Sequence, residues 1–375
     1  MRFLFFSFEI LPLLSDKQEI TGGASVQWKS WIKGFRDNGH EFGLLTFEGA
    51  KENINKNLNF DIVECYNPNY GINKLRTFYY QIPRLYKVIK QYDPDYLIQT
   101  SASGYIWKLI IIAKFLRIPF IHRIASDVHV DENINILVKN KKNIFLYRLA
   151  VKYSDFLSVQ NIYQFNKLKE KYHKKNIFIL HNPFELTTKE DDILPREKRN
   201  YIAWVGNFRW VKNLPALFNI ARKLPEIKFK VAGTEHKNLD PETRDAIYNL
   251  KQLSNVEFMG YLKRSDIMPF ISKSIALLNT SFYEGFSNTF LEAWSLGVPV
   301  VTTKNVNPDE IVNKYNLGKV ADEFEQLSCS LKTIIDLNEK DFNKLALHCY
   351  QYVKENHNPK ILAEKFVYYL KKIDL

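Results

Sequence analysis

The stretch that most constrains the fold is SFYEGFSNTFLEAWSLGVPVVTT, residues 281–303. Its order is a polar loop, a short helix and a strand whose continuous apolar run is typical of burial on both faces. Gly297 and Pro299 end the helix, and three polar residues can cap its start: Ser287, Asn288 and Thr289. The free N–H groups of that first turn predict an anion site beside Glu284.

Two carboxylates, Glu284 and Glu292, lie eight positions apart in this stretch. Glu292 has two interpretations. It can form a capping box with Thr289, a pattern that needs no ligand, or it can bind a substrate.

The run EGFSNTFLEAWSLGVPVV, residues 284–301, resembles the E-x7-E signature of the retaining family-four glycosyltransferases. The resemblance implies an α/β fold of the GT-B type, with two Rossmann-like domains facing across a cleft. It implies that Glu292 holds the ribose hydroxyls of a nucleotide-sugar donor and that Glu284 holds the hydroxyls of the donor sugar. Ser287, Asn288 and Thr289 are then expected near the donor phosphates.

Length and composition agree with a two-domain globular protein. A chain of 375 residues exceeds one compact core, and 46% hydrophobic with 25% charged residues is ordinary for such proteins. Three scattered cysteines match no zinc or disulfide spacing and predict a reducing, cytoplasmic location. Glu9 interrupts the first apolar run, which predicts a buried strand and no signal peptide.

A glycine pair follows the predicted first strand. Gly22 and Gly23 precede an amphipathic helix, as in a parallel α/β unit, but the loop lacks the three glycines of a dinucleotide fingerprint. No nicotinamide cofactor is therefore expected. The resemblance implies that this glycine loop lets the backbone approach the donor diphosphate and the acceptor.

The strand that begins near Pro119 ends in HRIASDVHVD, where α/β proteins place ligand-binding groups. Members of the family often carry a histidine where this chain has Ala125. Asp127 is the first candidate for the catalytic-face residue, and His129 is the second.

In the second half, GNFRWVKN follows a predicted strand and resembles the family's G-R-L-x-x-x-K-G segment. Lys212 matches the family lysine, and Arg209 lies two positions beyond the usual arginine. The resemblance implies that both contact the donor pyrophosphate, and that Gly260 lies near the nucleotide base. Fixed cations can stabilise the leaving diphosphate without a metal, so no metal or other cofactor is expected. The sequence Asp93-Pro94-Asp95 is interpreted as a turn.

The predicted domain limits follow the same order. Residues 1–186 form the acceptor-binding domain, 187–200 a charged linker and 201–358 the nucleotide-sugar-binding domain. Residues 359–375 form a helix that returns to the first domain.

The net charge of +12 lies mostly in the first half. Residues 70–92 mix basic and aromatic side chains, which suits either an anionic membrane surface or a core-packed helix with a solvated basic face. No recognised nucleic-acid-binding motif accompanies the charge, and no nucleic-acid partner is expected.

These features predict a retaining, metal-independent glycosyltransferase that uses a nucleotide sugar. Its expected acceptor is a glycan or a lipid-diphosphate-linked glycan, in surface polysaccharide or glycolipid synthesis. The alternatives are a nucleotide-sugar epimerase of the same fold, a glycoside hydrolase, and a basic module that binds nucleic acid or membrane.

Overall fold

A computed structural model of the chain describes residues 1–7, 23–53, 59–73, 75–100, 102, 105–136, 138, 140–235 and 239–373. The chain divides into two compact units. The N-terminal unit comprises Met1–Pro183 together with Pro359–Leu375, and the second unit comprises Phe184–Asn358.

The N-terminal unit is built on a seven-stranded parallel sheet with the order β3-β2-β1-β4-β5-β6-β7. Its strands are β1 Arg2–Phe6, β2 Glu41–Thr46, β3 Asp61–Glu64, β4 Tyr96–Thr100, β5 Phe120–Arg123, β6 Phe156–Val159 and β7 Asn176–Ile179. The helices that connect them are α1 Gly23–Asp37, α2 Ile82–Tyr92, α3 Ile106–Leu116, α4 Lys141–Tyr153 and α5 Ile162–Lys171.

The central strands of this sheet are buried on both faces because helices cover each side. Every residue of β4 is buried, although its sequence YLIQT includes two polar side chains. Trp28, Trp31 and Phe35 of α1 pack on one face, and Leu85 and Ile89 of α2 pack on the other. Continuous apolar runs are therefore the correct signal for these strands.

The second unit repeats the design with a six-stranded parallel sheet in the order β10-β9-β8-β11-β12-β13. Its strands are β8 Tyr201–Val205, β9 Phe229–Ala232, β10 Val256–Gly260, β11 Ser274–Leu278, β12 Val300–Thr303 and β13 Gly318–Ala321. Its helices are α6 Leu214–Lys223, α7 Pro241–Lys251, α8 Arg264–Ser272, α9 Asn288–Trp294, α10 Ile311–Lys314, α11 Leu327–Ile335 and α12 Glu339–Asn356.

The segment predicted as a linker, residues 187–200, lies within the second unit and packs against it. The chain passes from one unit to the next earlier, between Pro183 and Phe184. The buried guanidinium of Arg199 donates hydrogen bonds to the carbonyl oxygens of Leu194, Ser274 and Leu296, at 2.8, 3.1 and 3.0 Å. These bonds hold the segment to β11 and to the turn after α9, which local composition does not reveal.

The last helix, α13 Pro359–Ile373, belongs to the N-terminal unit and packs on α1. The ring of Phe366 lies 5.4 Å from that of Trp31 and 5.3 Å from that of Phe35. Gly34 allows this close approach, because a Cβ at that position would lie 2.2 Å from the carbonyl oxygen of Pro359. Helix α13 therefore packs on the unit that contains β1.

Among the helices of the described residues, none combines the length and the apolar character needed to span a bilayer.

Candidate active site

The strand order of the second unit creates a crevice at the carboxyl ends of β8 and β11. These strands are neighbours, but the chain continues from β8 to β9 on one side and from β11 to β12 on the other. Connections that diverge from adjacent parallel strands leave an opening in which α/β proteins bind ligands. Residues 206–213 follow β8 and residues 279–287 follow β11, so the two motifs from the sequence meet here.

An ion pair joins the two loops. Lys212 ends a 3-10 turn, Trp210–Lys212, and its Nζ contacts Oε1 of Glu284. The hydroxyl of Ser281 donates to the same carboxylate oxygen at 3.2 Å. The two charged side chains are 23% and 20% exposed, so both are ordered by contacts and still accessible to a ligand.

Hydrogen bonds to the backbone hold the two loops together. The Thr280 hydroxyl donates to the carbonyl oxygen of Lys212 at 2.8 Å, and the indole N–H of Trp204 donates to that hydroxyl at 3.0 Å. The backbone N–H of Phe282 donates to the carbonyl oxygen of Val211 at 2.9 Å. Because these groups are fixed before any ligand arrives, the charged pair is preorganised.

The aromatic rings of Trp210 and Phe282 stack beside the pair, with ring centroids 4.7 Å apart and planes at 29°. They give the two loops a second contact, formed by side chains.

Glycines bring the ends of β8, β9 and β10 close together. A Cβ at Gly233 would lie 1.9 Å from the carbonyl oxygen of Gly206, and the φ of Gly233 is +153°. The N–H of Gly233 donates to the carbonyl oxygen of Gly260 at 2.9 Å. Gly260 has a φ of +66°, a conformation that favours glycine, and its Cα faces open space. The base-binding role predicted for Gly260 stays a prediction.

Helix α9 begins at Asn288 with Ser287 as its N-cap residue, whose side chain accepts no hydrogen bond from a backbone N–H of the helix. The Ser287 and Thr289 hydroxyls contact each other at 2.9 Å. Thr289 is already inside the helix, so it does not form the capping box with Glu292 that the sequence allowed. Glu292 is only 3% exposed.

Arg209 is placed differently from Lys212. Its side chain is exposed and is not part of the ion pair, and its carbonyl oxygen accepts the N–H of Lys212 at 2.9 Å to close the 3-10 turn. The structure therefore brings together Lys212 and Glu284 and leaves Arg209 at the surface of the same loop.

In the N-terminal unit, Asp127 begins a 3-10 turn just after β5. Its Oδ1 accepts side-chain amide hydrogen bonds from Asn161 at 2.9 Å and from Gln164 at 2.8 Å. Asn161 is also the N-cap of α5 and accepts the backbone N–H of Gln164 at 2.8 Å. The carboxylate is thus held by the start of a helix, which the sequence alone did not suggest.

His129 and His122 lie near each other, and both are kept neutral by burial. Desolvation lowers the pKa of His129 to about 4 and that of His122 to about 3. His122 is fully buried, with Nδ1 3.0 Å from Oε1 of Gln99 and Nε2 3.3 Å from the hydroxyl of Tyr147. At neutral pH these rings carry no positive charge.

Of the predicted glycine pair, Gly22 lies outside the described residues and Gly23 begins α1. In the part of the chain that is described, no group of three or more His, Cys, Asp and Glu side chains is arranged to hold a metal ion.

Sequence reasoning missed the groups that support the charged pair. Thr280 and Ser281 lie three to four residues before Glu284, the first residue of the run that carries the resemblance, and Trp204 lies in the strand before the lysine motif. Three small polar residues in a row after a buried strand, Asn279 to Ser281, were the available signal. The partners of Thr280, which are Lys212 and Trp204, lie 68 and 76 residues away in sequence.

Two family models match the chain, one in each half. The model described as "Glycosyl transferase 4-like" matches residues 20–161, and the model described as "Glycosyl transferases group 1" matches residues 187–356. Together they include most of both units.

Curated relatives carry glycosyltransferase names. An uncharacterized glycosyltransferase of Methanocaldococcus jannaschii is 24% identical over 328 residues, which is 86% of this chain and 87% of that protein. O-antigen chain mannosyltransferase B of Escherichia coli is 23% identical over 155 residues, which is 40% of this chain and 39% of that enzyme. Several other relatives are likewise matched over little more than a third of their length.

Solved structures share the fold over the whole chain. The Anabaena protein HepE, in complex with UDP-glucose, superposes with a TM-score of 0.75 at 15% identity, covering 99% of this chain and 100% of that one. This likeness confirms the predicted fold class of two Rossmann-like α/β domains.

Proposed function

The chain belongs to the group 1 glycosyltransferases of the GT-B fold, and on that premise we propose that it is a retaining, metal-independent enzyme. Its donor is a nucleotide-diphosphate sugar, and its acceptor is a glycan or a lipid-diphosphate-linked glycan. The single observation that carries this proposal is the accessible pair of Lys212 and Glu284 at the switch point of the second sheet. UDP-glucose in the HepE structure supports a nucleotide sugar as donor.

Breaking the bond between sugar and diphosphate places negative charge on the leaving nucleotide. In the proposed reaction, the ammonium of Lys212 stabilises that charge and Arg209 adds a second cation from the same loop. Fixed cations stabilise a transition state without the cost of reorganising solvent. The polar residues Ser287, Asn288 and Thr289 complete the proposed phosphate surroundings.

Glu284 changes its partner during this cycle. In the ligand-free protein its carboxylate is the counter-charge of Lys212. When a diphosphate binds the ammonium of Lys212 in place of Glu284, the carboxylate of Glu284 becomes available to accept hydrogen bonds from hydroxyls of the donor sugar. Glu292, which is buried within α9, is proposed to accept the ribose hydroxyls.

Asp127 is proposed as the catalytic-face residue of the N-terminal unit. The amides of Asn161 and Gln164 fix its carboxylate, whereas His129 is neutral at pH 7 because of burial. A carboxylate that two amides hold in place is better suited than a neutral ring to stabilise the positive charge that develops on the reacting sugar.

Surface polysaccharide or glycolipid synthesis is the proposed role, supported by the name of the Escherichia coli relative. The proposed location is the cytoplasm, supported by three cysteines that are all free thiols.

The test measures thermal unfolding with UDP, GDP and ADP in EDTA, using Lys212→Met as the control variant. A ligand at about 100 times its Kd stabilises a fold by about 2.7 kcal/mol, which is readily detected. Stabilisation by one nucleotide in the wild type and its loss in the variant would support the proposal. No stabilisation by any of them would contradict it.

Turnover of the matching nucleotide sugar then separates reaction classes. Proton NMR follows the reaction in EDTA. A product that keeps the anomeric configuration of the donor sugar would support retaining, metal-independent transfer to the acceptor. Conversion of the sugar without an acceptor would indicate an epimerase, and release of free sugar as the main product would indicate a hydrolase.

A further inference from the structure

One helical layer of the N-terminal unit is positively charged and contains no acidic residue. Helices α2, α3 and α4 lie side by side, with α2 against α3 and α3 against α4. Their sequences, IPRLYKVIKQY, IWKLIIIAKFL and KKNIFLYRLAVKY, contain nine Lys or Arg residues and no Asp or Glu. The surfaces of soluble domains normally carry both positively and negatively charged side chains. The absence of acidic residues from these three helices therefore indicates a binding partner.

The outward side of the same layer exposes large apolar side chains. Phe115 of α3 is 77% exposed and Phe145 of α4 is 62% exposed, and Phe78, in the helical turn Thr77–Gln81 that leads into α2, is 68% exposed. Other apolar side chains of this layer and of the segment leading into α2 are at least half exposed: Tyr70, Ile72, Leu75, Tyr79, Ile111 and Tyr153. The rings of Tyr86 and Phe115, 5.6 Å apart, connect α2 to α3. We define these residues as the α2–α4 face.

The apolar residues of this face are not the ones that stabilise the fold. The core between these helices and the sheet contains Leu85 and Ile89 of α2, Leu109 of α3 and Val151 of α4. The exposed set is additional to that core, and this many large exposed apolar side chains on neighbouring elements indicate an interaction site.

Exposed cations lie on the same helices as these apolar side chains. They are Arg84, Lys87 and Lys90 on α2, and Lys141, Lys142, Arg148 and Lys152 on α4. Lys114 of α3 pairs with Asp155, which follows α4. Most of the positive charge therefore faces outward.

We propose that the α2–α4 face docks on an anionic lipid bilayer, with its aromatic and aliphatic side chains in the interfacial region and its cations against the phosphate headgroups. Exposed apolar side chains bordered by Lys and Arg are the composition of a membrane-surface element. Nucleic acid would engage the cations but gives no environment for Ile72, Leu75 and Ile111. Two copies of this chain would bring two positive faces together, which repel each other.

The test is co-sedimentation with vesicles of phosphatidylcholine alone or with about one third phosphatidylglycerol, at low and high salt. One variant combines Lys87→Glu with Arg148→Glu, and another combines Phe78→Ser with Phe115→Ser. Control variants on the second unit, Lys344→Glu and Tyr248→Ser, change equally exposed residues away from the face.

Wild type is expected to bind the anionic vesicles at low salt and much less at high salt. Each cation lost near an anionic surface costs about fivefold in affinity, so the double charge variant should bind at least about 25-fold more weakly. The double serine variant should lose about tenfold or more, and both controls should bind as the wild type does. All variants should keep the unfolding midpoint of the wild type, since the changed side chains are exposed.

Equal binding to neutral and anionic vesicles, or no binding at low salt, would overturn the proposal. So would an equal loss in the control variants, binding to DNA or RNA without binding to vesicles, or self-association abolished by the serine variant. The assay contains no nucleotide, so its outcome is independent of the proposed sugar transfer.

Discussion

Replacing Lys212 by methionine tests the proposed donor site most directly. Methionine keeps most of the aliphatic stem, which lies over Gly206, and removes the ammonium that contacts Glu284. The proposal requires that ammonium to bind the diphosphate. In these predictions UDP stands for whichever of UDP, GDP and ADP stabilises the wild type in the thermal test. A hydrogen bond to a charged group contributes about 1.5–3 kcal/mol, so the Kd for that nucleotide should rise about 10- to 150-fold.

Fold stability should also fall, because the pair is largely buried. About one fifth of each side chain in the pair is exposed, and after the substitution Glu284 keeps the hydrogen bond from Ser281. The free energy of unfolding should therefore fall by about 1–3 kcal/mol, the cost of leaving a largely buried group without one of its partners. Isothermal titration with UDP in EDTA, alongside urea unfolding, measures both quantities.

Two further variants make the result specific. Lys230→Met is the matched control, because Lys230 also pairs with a glutamate in the second unit, Glu257 at 2.9 Å, away from the crevice. Glu284→Gln should bind UDP at least as tightly as the wild type, since it removes the competitor for Lys212, yet transfer sugar more slowly. A UDP Kd within twofold of the wild type in Lys212→Met would refute the reasoning.

Three other substitutions test separate parts of the structure. Glu292→Gln should raise the Kd for UDP about tenfold or more, because a charge-assisted contact to the ribose is lost; titration calorimetry measures it. Gly34→Ala should lower the free energy of unfolding by about 1–3 kcal/mol in urea, because the new Cβ would lie 2.2 Å from the carbonyl oxygen of Pro359. The free energy of unfolding should also fall as the pH drops below about 6.5, by up to about 1.4 kcal/mol per pH unit from His122 alone. In urea unfolding, His122→Gln should show a weaker dependence of stability on pH.

The outcomes that contradict these predictions are distinct. Unchanged UDP affinity in Glu292→Gln would assign that carboxylate a structural role in α9. Helix propensity alone predicts that Gly34→Ala stabilises α1 by up to about 1 kcal/mol. A gain in the free energy of unfolding would therefore show that α13 does not approach α1 as described. Lys29→Ala, on the exposed face of α1, is the control. Burial lowers the pKa of His122 in the folded protein to about 3, so the unfolded chain takes up the proton first as the pH falls. Lower pH therefore favours the unfolded state. An unchanged slope in His122→Gln would contradict it.

Much of the secondary structure followed from local patterns. The short helix and the buried strand predicted within residues 281–303 are α9 Asn288–Trp294 and β12 Val300–Thr303. The glycine at 39 that ends the first described helix has a φ of +73°. Periodicity and stop residues act within a few positions, so they can be read directly.

The candidate site was only partly predictable. Lys212 and Glu284 were each identified from their own motif, but 72 residues separate them and nothing local shows that they pair. The capping-box interpretation failed for a related reason. The T-x-x-E capping box requires Thr289 to be the N-cap residue, whereas the N-cap is Ser287, two residues earlier.

The sequence by itself determined the class of fold, the order of its elements and the residue types at the donor motifs, because these depend on apolar periodicity and on short runs of neighbours. Tertiary structure alone decided that β8 lies beside β11, that residues 187–200 pack on the second unit, and that three separate helices form the α2–α4 face. The physical reason is that parallel sheets are assembled through long crossovers. The contacts that create a crevice or a surface join residues that are distant in the chain.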